Sequence, residues 1–357
     1  MTSSLINKYR NYLPDIFKQD NIDIVTLGEG DTPLILLNNL TKYLNLEIKL
    51  YVKFEGLNPT GSFKDRGMTT AVTAAKSNNK IRSIVCASTG NTSASAAAYA
   101  ARAGLRSVVL IPQGKIATGK LVQAIIAGSK IIQINDNFDA AMQLVKSFED
   151  QGDILIVNSI NPYRLEGQKT IAFEVIEQLG NQAPDYHCLP VGNAGNISAH
   201  WMGYKDFYQA KIIKHYPKML GYQAEGASPF IVGHPVKNPE TVATAIRIGN
   251  PQQWDKALLT SKESQGWFQS VTDQEILTMQ KLLAQHEGVF CEPAAATSLA
   301  GLYKDYQNTR IKKNSTVVCT LTGNGLKDPD IILNNFDLAN NIITIDPVLK
   351  DLMHHLH

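Results

Sequence analysis

Short β-branched apolar runs alternate with longer helix-forming stretches along most of this chain, and that alternation restricts the possible folds more than any other feature. The strand-like runs are Leu50–Phe54, Ile84–Ala87, Val108–Ile111, Ile131–Ile134, Ile154–Val157, Cys188–Val191, Leu220–Ala224 and Val317–Leu321. Between them lie Asp65–Ser77, Thr92–Ala103, Gly119–Ala127, Phe138–Phe148, Gly167–Leu179 and Ile197–Tyr208, with helix-compatible apolar spacing. Strands without a polar face need cover on both sides, so the pattern predicts an α/β protein with two open, mainly parallel twisted sheets flanked by helices. The chain has 357 residues, enough for two modest domains. The units from about 53 to 157 are short and regular, which predicts a smaller α/β domain over 56–159. Residues 1–55 plus 160–357 then form a larger domain.

Several function classes are disfavoured. The formal charge is +2, from 34 basic and 32 acidic side chains, so neither nucleic acid nor an anionic membrane is expected as partner. The N-terminus opens no signal-like apolar run and no stretch is apolar enough to span a bilayer, so a cytoplasmic location is expected. Cys86, Cys188, Cys291 and Cys319 form no CxxC pair, and buried reduced thiols are expected. Of eight histidines, three lie in the tail at His354, His355 and His357 and the rest lack ligand spacing, so no metal is expected.

Ligands in open α/β sheets sit beyond the carboxyl ends of the strands. Four polar clusters obey that rule here: Ser88-Thr89-Gly90-Asn91, Asn158-Ser159, Gly192-Asn193-Ala194-Gly195-Asn196 and Thr322-Gly323-Asn324-Gly325. Together they suggest one shared cleft. Upstream, Ser62-Phe63-Lys64-Asp65-Arg66 follows a Pro-Thr-Gly turn and opens a helix-forming run. With Ser62 as N-cap, Lys64 falls in the first turn, where the helix dipole favours its neutral amine. A neutral amine is the form that condenses with an aldehyde; a solvated lysine on a helix face is the ordinary alternative. Thr89, Asn91 and Thr92 offer more donors than one cap requires, whereas Ser93 and Ser95 read as capping residues. Gly192 to Asn196 can cradle a phosphate on successive N–H groups. Thr322 offers a neutral hydroxyl at a strand end.

The sequences NPTGSFKDRG (58–67), STGNTSAS (88–95), VGNAGN (191–196), CEPAAATSLAG (291–301) and TLTGNGLKD (320–328) resemble the threonine-synthase family. That family lies among the fold type II, tryptophan-synthase-β-like enzymes that use pyridoxal 5′-phosphate. The resemblance spans nearly the whole chain in the family's order. It implies an active site in the cleft between the domains, with Lys64 as the Schiff-base lysine and Asn91 as partner of the cofactor's phenolic oxygen. It implies Gly192, Asn193, Ala194, Gly195 and Asn196 as the cofactor-phosphate cup and Thr322 as partner of the ring nitrogen. A threonine hydroxyl there does not impose ring protonation as a carboxylate would. The implied reaction is a lyase reaction, the last step of threonine biosynthesis. O-phospho-L-homoserine and water give L-threonine and phosphate by γ-elimination and β-addition of water, with Lys64 as anchor and acid/base. A homodimer is implied as well.

A phosphorylated substrate needs a second anion site. Asn158 and Ser159 end a strand-like run, and Arg164 follows after a short turn; guanidinium, amide and hydroxyl donors suit a phosphate dianion. Arg66, Lys115 and Lys120 are further candidates. The substrate carboxylate is expected on Ser88, Thr89 and Thr92. A threonine or serine dehydratase of the same fold ranks second, because it needs no second phosphate site. A non-catalytic module ranks third, since neither the lysine nor the phosphate loop is broken. A nicotinamide dehydrogenase is disfavoured, because no GxGxxG follows an early strand.

Overall fold

The β-branched runs become strands in two separate sheets, and those at the centre of the larger sheet are buried on both faces. The structure, a computed structural model, describes residues 4–112, 118–135, 147 and 152–335. The larger sheet contains β1 (Leu34–Leu36), β2 (Lys49–Phe54), β7 (Tyr186–Pro190), β8 (Lys218–Ala224), β9 (Trp267–Val271) and β10 (Thr316–Leu321), in the order β1-β2-β10-β7-β8-β9. Only β1 runs antiparallel to its neighbour. The smaller sheet contains β3 (Ser83–Ala87), β4 (Arg106–Pro112), β5 (Lys130–Ile134) and β6 (Ile154–Ile156), in the order β5-β4-β3-β6, all parallel. Helices pack on the sheets, and the expected α/β class holds.

All eight strand-like runs become strands, with ends shifted by up to two residues. Two more strands, β1 and β9, lie at the edges of the larger sheet. β1 is an apolar run of three residues, too short to stand out, and β9 interrupts its apolar residues with Gln269 and Ser270. The expected helix 167–179 is divided into Pro162–Gln168 and Thr170–Gln178. Phe138–Phe148 lies almost wholly outside the described residues, as does the histidine tail. All four cysteines are buried thiols without disulfide bonds. Cys188 and Cys319 are register partners on β7 and β10.

Parallel pairing places strand ends together. β2, β10 and β7 are neighbours, so the segments following Phe54, Leu321 and Pro190 emerge on one edge. In the smaller sheet β3 and β6 are likewise neighbours, which brings the segments after Ala87 and Ile156 side by side. Both sheets belong to one compact unit, Met1–Lys327. A second unit, Asp328–His357, has as its described element the helix Pro329–Asn335.

Helix Lys64–Ser77 carries Gly67, and helix Pro162–Gln168 carries Gly167. A Cβ on Gly67 would stand 2.7 Å from the Arg164 carbonyl oxygen, and one on Gly167 would stand 1.9 Å from the Arg66 carbonyl oxygen. The two helices therefore touch backbone to backbone, a contact that a larger residue at either position would obstruct.

Candidate active site

Lys64 is the first residue of its helix. The cap lies one residue later than expected: Phe63 occupies the N-cap position and makes no side-chain cap bond. Ser62 is fully buried, and its Oγ stands 3.4 Å from the Lys64 amide nitrogen. Its backbone is used instead in an antiparallel bridge to Gly323. Phe63 N donates to Thr322 O at 3.0 Å and Asn324 N donates to Gly61 O at 2.9 Å. A third segment joins through Glu292 N to Gly323 O at 3.1 Å and Gly325 N to Phe290 O at 3.1 Å. Residues 61–63, 322–325 and 290–292 are thus zipped together, which fixes Lys64 near Thr322 and Glu292.

Burial depresses the Lys64 ammonium to about 7; Arg164 adds to the effect and Glu292 opposes it. The amine is thus available without a base to deprotonate it. Beside it, burial pushes Asp65 up to about 6 although it accepts from Thr60 N (2.7 Å), Thr60 Oγ1 (2.6 Å) and Ser95 Oγ (2.6 Å). Ser95 therefore ties the next helix to this one, and Ser93 closes on Gly90 O at 2.7 Å.

Helix Asn91–Ala103 begins directly after the Ser88–Gly90 turn, and no side chain caps it. Ser88, Thr89 and Thr92 are half-buried around that open N-terminus, while Asn91 is buried. Uncapped N–H groups and a positive dipole end suit a carboxylate. Asn91 Nδ2 reaches both carboxylate oxygens of Glu292, at 3.2 and 3.0 Å.

On the larger sheet, Gly192 to Asn196 link β7 to the 15-residue helix Gly195–Gln209. This helix also lacks a side-chain cap, and Ala194 takes a left-handed conformation at φ 64°. Asn193 O and Oδ1 accept from Gln253 N (3.2 Å) and Gln252 N (3.3 Å), which braces the turn. Asn196 is 8% exposed, and its Oδ1 and Nδ2 are both buried without a hydrogen-bond partner. Behind the turn, His200 Nδ1 donates to Asn196 O at 2.9 Å. Burial holds His200 down at about 4, so the ring is neutral. An uncapped helix N-terminus beside an orphaned amide fits a bound phosphate, and Lys64 fits an aldehyde partner. The residues present therefore suit pyridoxal phosphate.

Asn161 caps helix Pro162–Gln168 through Tyr163 N at 3.0 Å, with Pro162 in the first turn, and Arg164 follows. Arg164 is 1% exposed. Its Nη1 donates to Val157 O at 3.0 Å, whereas Nε and Nη2 have no partner. Burial lowers its pKa to about 10. A buried guanidinium with two unused donor nitrogens is expensive unless an anion completes it. Asn158 is committed differently: its Oδ1 and Nδ2 pair with Ala87 N and O, each at 3.0 Å. It splints the end of β3 and keeps one amide proton free. Ser159 lies half-buried beside it, with its carbonyl accepting from Gln253 Nε2 at 3.1 Å.

Among the further phosphate candidates, Arg66 is withdrawn. It is fully buried, and its guanidinium is bound to Glu55 and Glu174 at 2.6–2.8 Å. Lys115 and the Lys120 side chain lie outside the described residues. Two residues near the site carried no sequence expectation. Lys327 Nζ donates to Thr60 O at 3.0 Å, and Glu292 meets both Asn91 and Thr322. An acidic residue directly before a helix-opening proline, in a run of alanines, is the signal that could have singled out Glu292.

The protein-family model for pyridoxal-phosphate-dependent enzymes matches residues 25–323. A threonine synthase of Synechocystis is 54% identical over 93% of this chain and 85% of its own length. Those of Halalkalibacterium halodurans (52%, covering 96% and 94%) and Methanocaldococcus jannaschii (51%, covering 98% and 87%) are similar to a like degree. Among solved structures, threonine deaminase isoform 2 of Solanum lycopersicum superposes with a TM-score of 0.72 at 21% identity, covering 94% of this chain and 86% of its own. Maize serine racemase gives 0.71 at 21%, covering 91% and 94%. At such identity these two structures speak to the fold alone.

Proposed function

Because the chain belongs to the pyridoxal-phosphate-dependent enzyme family, we propose that it is a threonine synthase, a lyase that converts O-phospho-L-homoserine and water into L-threonine and phosphate. The observation that carries this reading is Arg164. Its two unpartnered nitrogens offer a buried anion site on different elements from the Gly192–Asn196 cup, close enough for its charge to depress Lys64. One anion site serves the cofactor and the other serves a substrate phosphate. A dehydratase acting on threonine has no use for the second.

When bound, pyridoxal phosphate supplies an electron sink beside the substrate α-carbon. The chain's own residues do the rest. Lys64 would anchor the cofactor, and its amine, about half neutral at pH 7, takes a proton from the substrate and returns it. Asn196 and the N–H groups of Gly192 to Gly195 hold the cofactor phosphate. Asn91 would meet the phenolic oxygen, and Thr322 the ring nitrogen. Ser88, Thr89 and Thr92 at the open helix end hold the substrate carboxylate. Arg164, with Ser159 and the remaining Asn158 amide proton, holds the substrate phosphate during and after its departure. Within this reading the four-stranded sheet belongs to a smaller domain, 56–159, which covers the cleft of a larger one, 1–55 plus 160–357. The same reading takes the protein to be a cytoplasmic homodimer, which sedimentation can test. Among the described residues no helix is long and apolar enough to cross a membrane.

The test offers the holoenzyme O-phospho-L-homoserine and L-threonine separately. Equal yields of phosphate and threonine from the first support the proposal. Ammonia and a 2-oxo acid from the second, with the first untouched, overturn it in favour of a dehydratase.

A further inference from the structure

We propose that Gln253 is a positioning residue for the substrate phosphate: its side chain binds the Ser159 carbonyl, which fixes the turn before Arg164 and keeps that carbonyl from opposing the anion. This rests on the reading above that Arg164 and Ser159 receive the substrate phosphate.

Gln253 stands directly before helix Trp254–Glu263, at its N-cap position. The preferred caps are short side chains that fold back on their own helix, and glutamine is not among them. This one makes no cap bond. It is 9% exposed and reaches instead to the turn after β6 of the smaller sheet, where Nε2 donates to Ser159 O at 3.1 Å. Its backbone serves the other anion site, since Gln253 N donates to Asn193 O at 3.2 Å. The packing agrees with this double role. A Cβ on Gly195 would stand 3.5 Å from Leu165 Cδ2 and 4.0 Å from Gln253 Cγ. One residue therefore touches both the cofactor-phosphate turn and the turn that precedes Arg164.

Four successive carbonyls at the end of β6 each need a donor. Ile156 O accepts from Asn161 Nδ2 at 2.8 Å, Val157 O from Arg164 Nη1 at 3.0 Å and Asn158 O from Asn161 N at 3.0 Å. Those donors lie within the next few residues, so the segment ties back three carbonyls by itself. Ser159 O is the fourth, and its donor comes from 94 residues away. A carbonyl dipole aimed at a phosphate repels it, whereas N–H and O–H groups attract it. In a trans peptide the C=O and the following N–H point opposite ways, so the bond from Gln253 also fixes the direction of Ile160 N–H. Among the described residues, neither Ser159 N nor Ile160 N donates to a backbone carbonyl.

The experiment uses holoenzyme, so that the cofactor turn is filled and inorganic phosphate reports on the second anion site. The phosphate dissociation constant is measured by titration calorimetry, and KM and kcat are measured with O-phospho-L-homoserine. Cofactor affinity is followed by visible absorbance. The proteins are the natural one, Gln253→Met, Gln253→Glu and Arg164→Ala. Gln253→Met keeps the length and loses one neutral hydrogen bond, so the phosphate constant and KM should each rise about 3- to 10-fold, with kcat and cofactor affinity within about 2-fold. Gln253→Glu sets an acceptor against the carbonyl and a charge beside the anion, and should raise both constants further. Either variant suffices if the other does not hold cofactor. Both constants unchanged in Gln253→Met and Gln253→Glu, with Arg164→Ala raising them, overturn the proposal and leave the Arg164 site standing. Cofactor affinity falling in step with phosphate affinity also overturns it, because Gln253 is then only a brace for the cofactor turn. Constants unmoved by Arg164→Ala, or a natural protein that does not turn over O-phospho-L-homoserine, overturn the reading of that site and the proposal with it.

Discussion

Glu174→Gln should destabilise the protein far more than an ordinary loss of one charge. Glu174, Glu55, Arg66 and Lys53 form a buried quartet with two charges of each sign. Arg66 Nη1 and Nη2 lie 2.6 Å from Glu174 Oε1 and Oε2, and Lys53 Nζ lies 2.6 Å from Oε2. The Asp31 amide adds a donor to Oε1 at 2.8 Å. Every neighbour of that carboxylate is a donor, so a glutamine must turn its NH₂ toward one of them. Two buried cations would then share Glu55 alone. Breaking a buried pair by removing one partner costs about 3–5 kcal/mol. At ~2.1 cal/mol/K per residue, the Met1–Lys327 unit has an unfolding entropy of roughly 0.7 kcal/mol/K, so the expected fall in Tm is about 4–7 °C. Calorimetry of the variant beside Lys313→Ala provides the comparison. Lys313 and Glu47 pair at 2.6 Å with 65% and 60% of their side chains exposed, so solvent screening leaves that pair little weight in stability. The double variant Lys53→Met with Glu174→Gln restores charge balance and should recover part of the loss. A change in Tm below about 1 °C for Glu174→Gln, or a double variant worse than the sum of its parts, would refute the reasoning. The pH dependence has a definite sign. Burial alone would raise Glu174 and Glu55, but Arg66 outweighs it, with help from Lys53, and both sit below the usual carboxylate range. Their contribution is present above the unfolded-state carboxylate values and is lost as pH falls through the lower folded-state values.

Three shorter predictions concern the cleft. Gly167→Ala places a methyl 1.9 Å from the Arg66 carbonyl oxygen, beyond what side-chain adjustment can relieve; a loss of at least about 1–3 kcal/mol in urea titration is expected. Arg164→Ala should lower kcat/KM for O-phospho-L-homoserine by about 2–4 kcal/mol, roughly 30- to 1000-fold, while cofactor absorbance is retained; unchanged kinetics would remove Arg164 from the site. The rate of reconstitution with pyridoxal phosphate should rise with pH around about 7, as Lys64 loses its proton there, and a rise centred near the ordinary 10.5 would contradict the depressed amine.

The parts of this molecule that could be read from sequence are those where one physical requirement acts over several consecutive residues. A central strand such as Val317–Leu321 must be apolar on both faces, and it shows. A phosphate turn must approach a ligand closely, and Gly192-Asn193-Ala194-Gly195-Asn196 announces that. β1 escaped because it is only three residues long, and β9 because Gln269 and Ser270 interrupt its apolar residues. Glu292 escaped because its partners, Asn91 and Thr322, are 201 and 30 residues away and meet it only through the zipped segments. Arg66 shows the reverse error. It lies two residues from the reactive lysine and is a further phosphate candidate by sequence, yet the side chain turns into the quartet. Asn158 is intermediate: it is in the expected place, but most of its amide is engaged with Ala87.

The glycine contact between helices Lys64–Ser77 and Pro162–Gln168 has a consequence for substrate choice. Gly67 and Gly167 set the separation of the two backbones, so the spacing between the Lys64 and Arg164 stems depends on no adjustable side-chain packing. On the proposed reading, one of these residues marks the α-carbon and the other marks the terminal phosphate. The helix crossing then acts as a gauge of fixed length. A phosphorylated amino acid one methylene longer or shorter would have to be accommodated by the Arg164 side chain alone, since neither helix can slide without driving a carbonyl into its neighbour. Chain-length selectivity would then reside in two residues that have no side chain and touch no ligand.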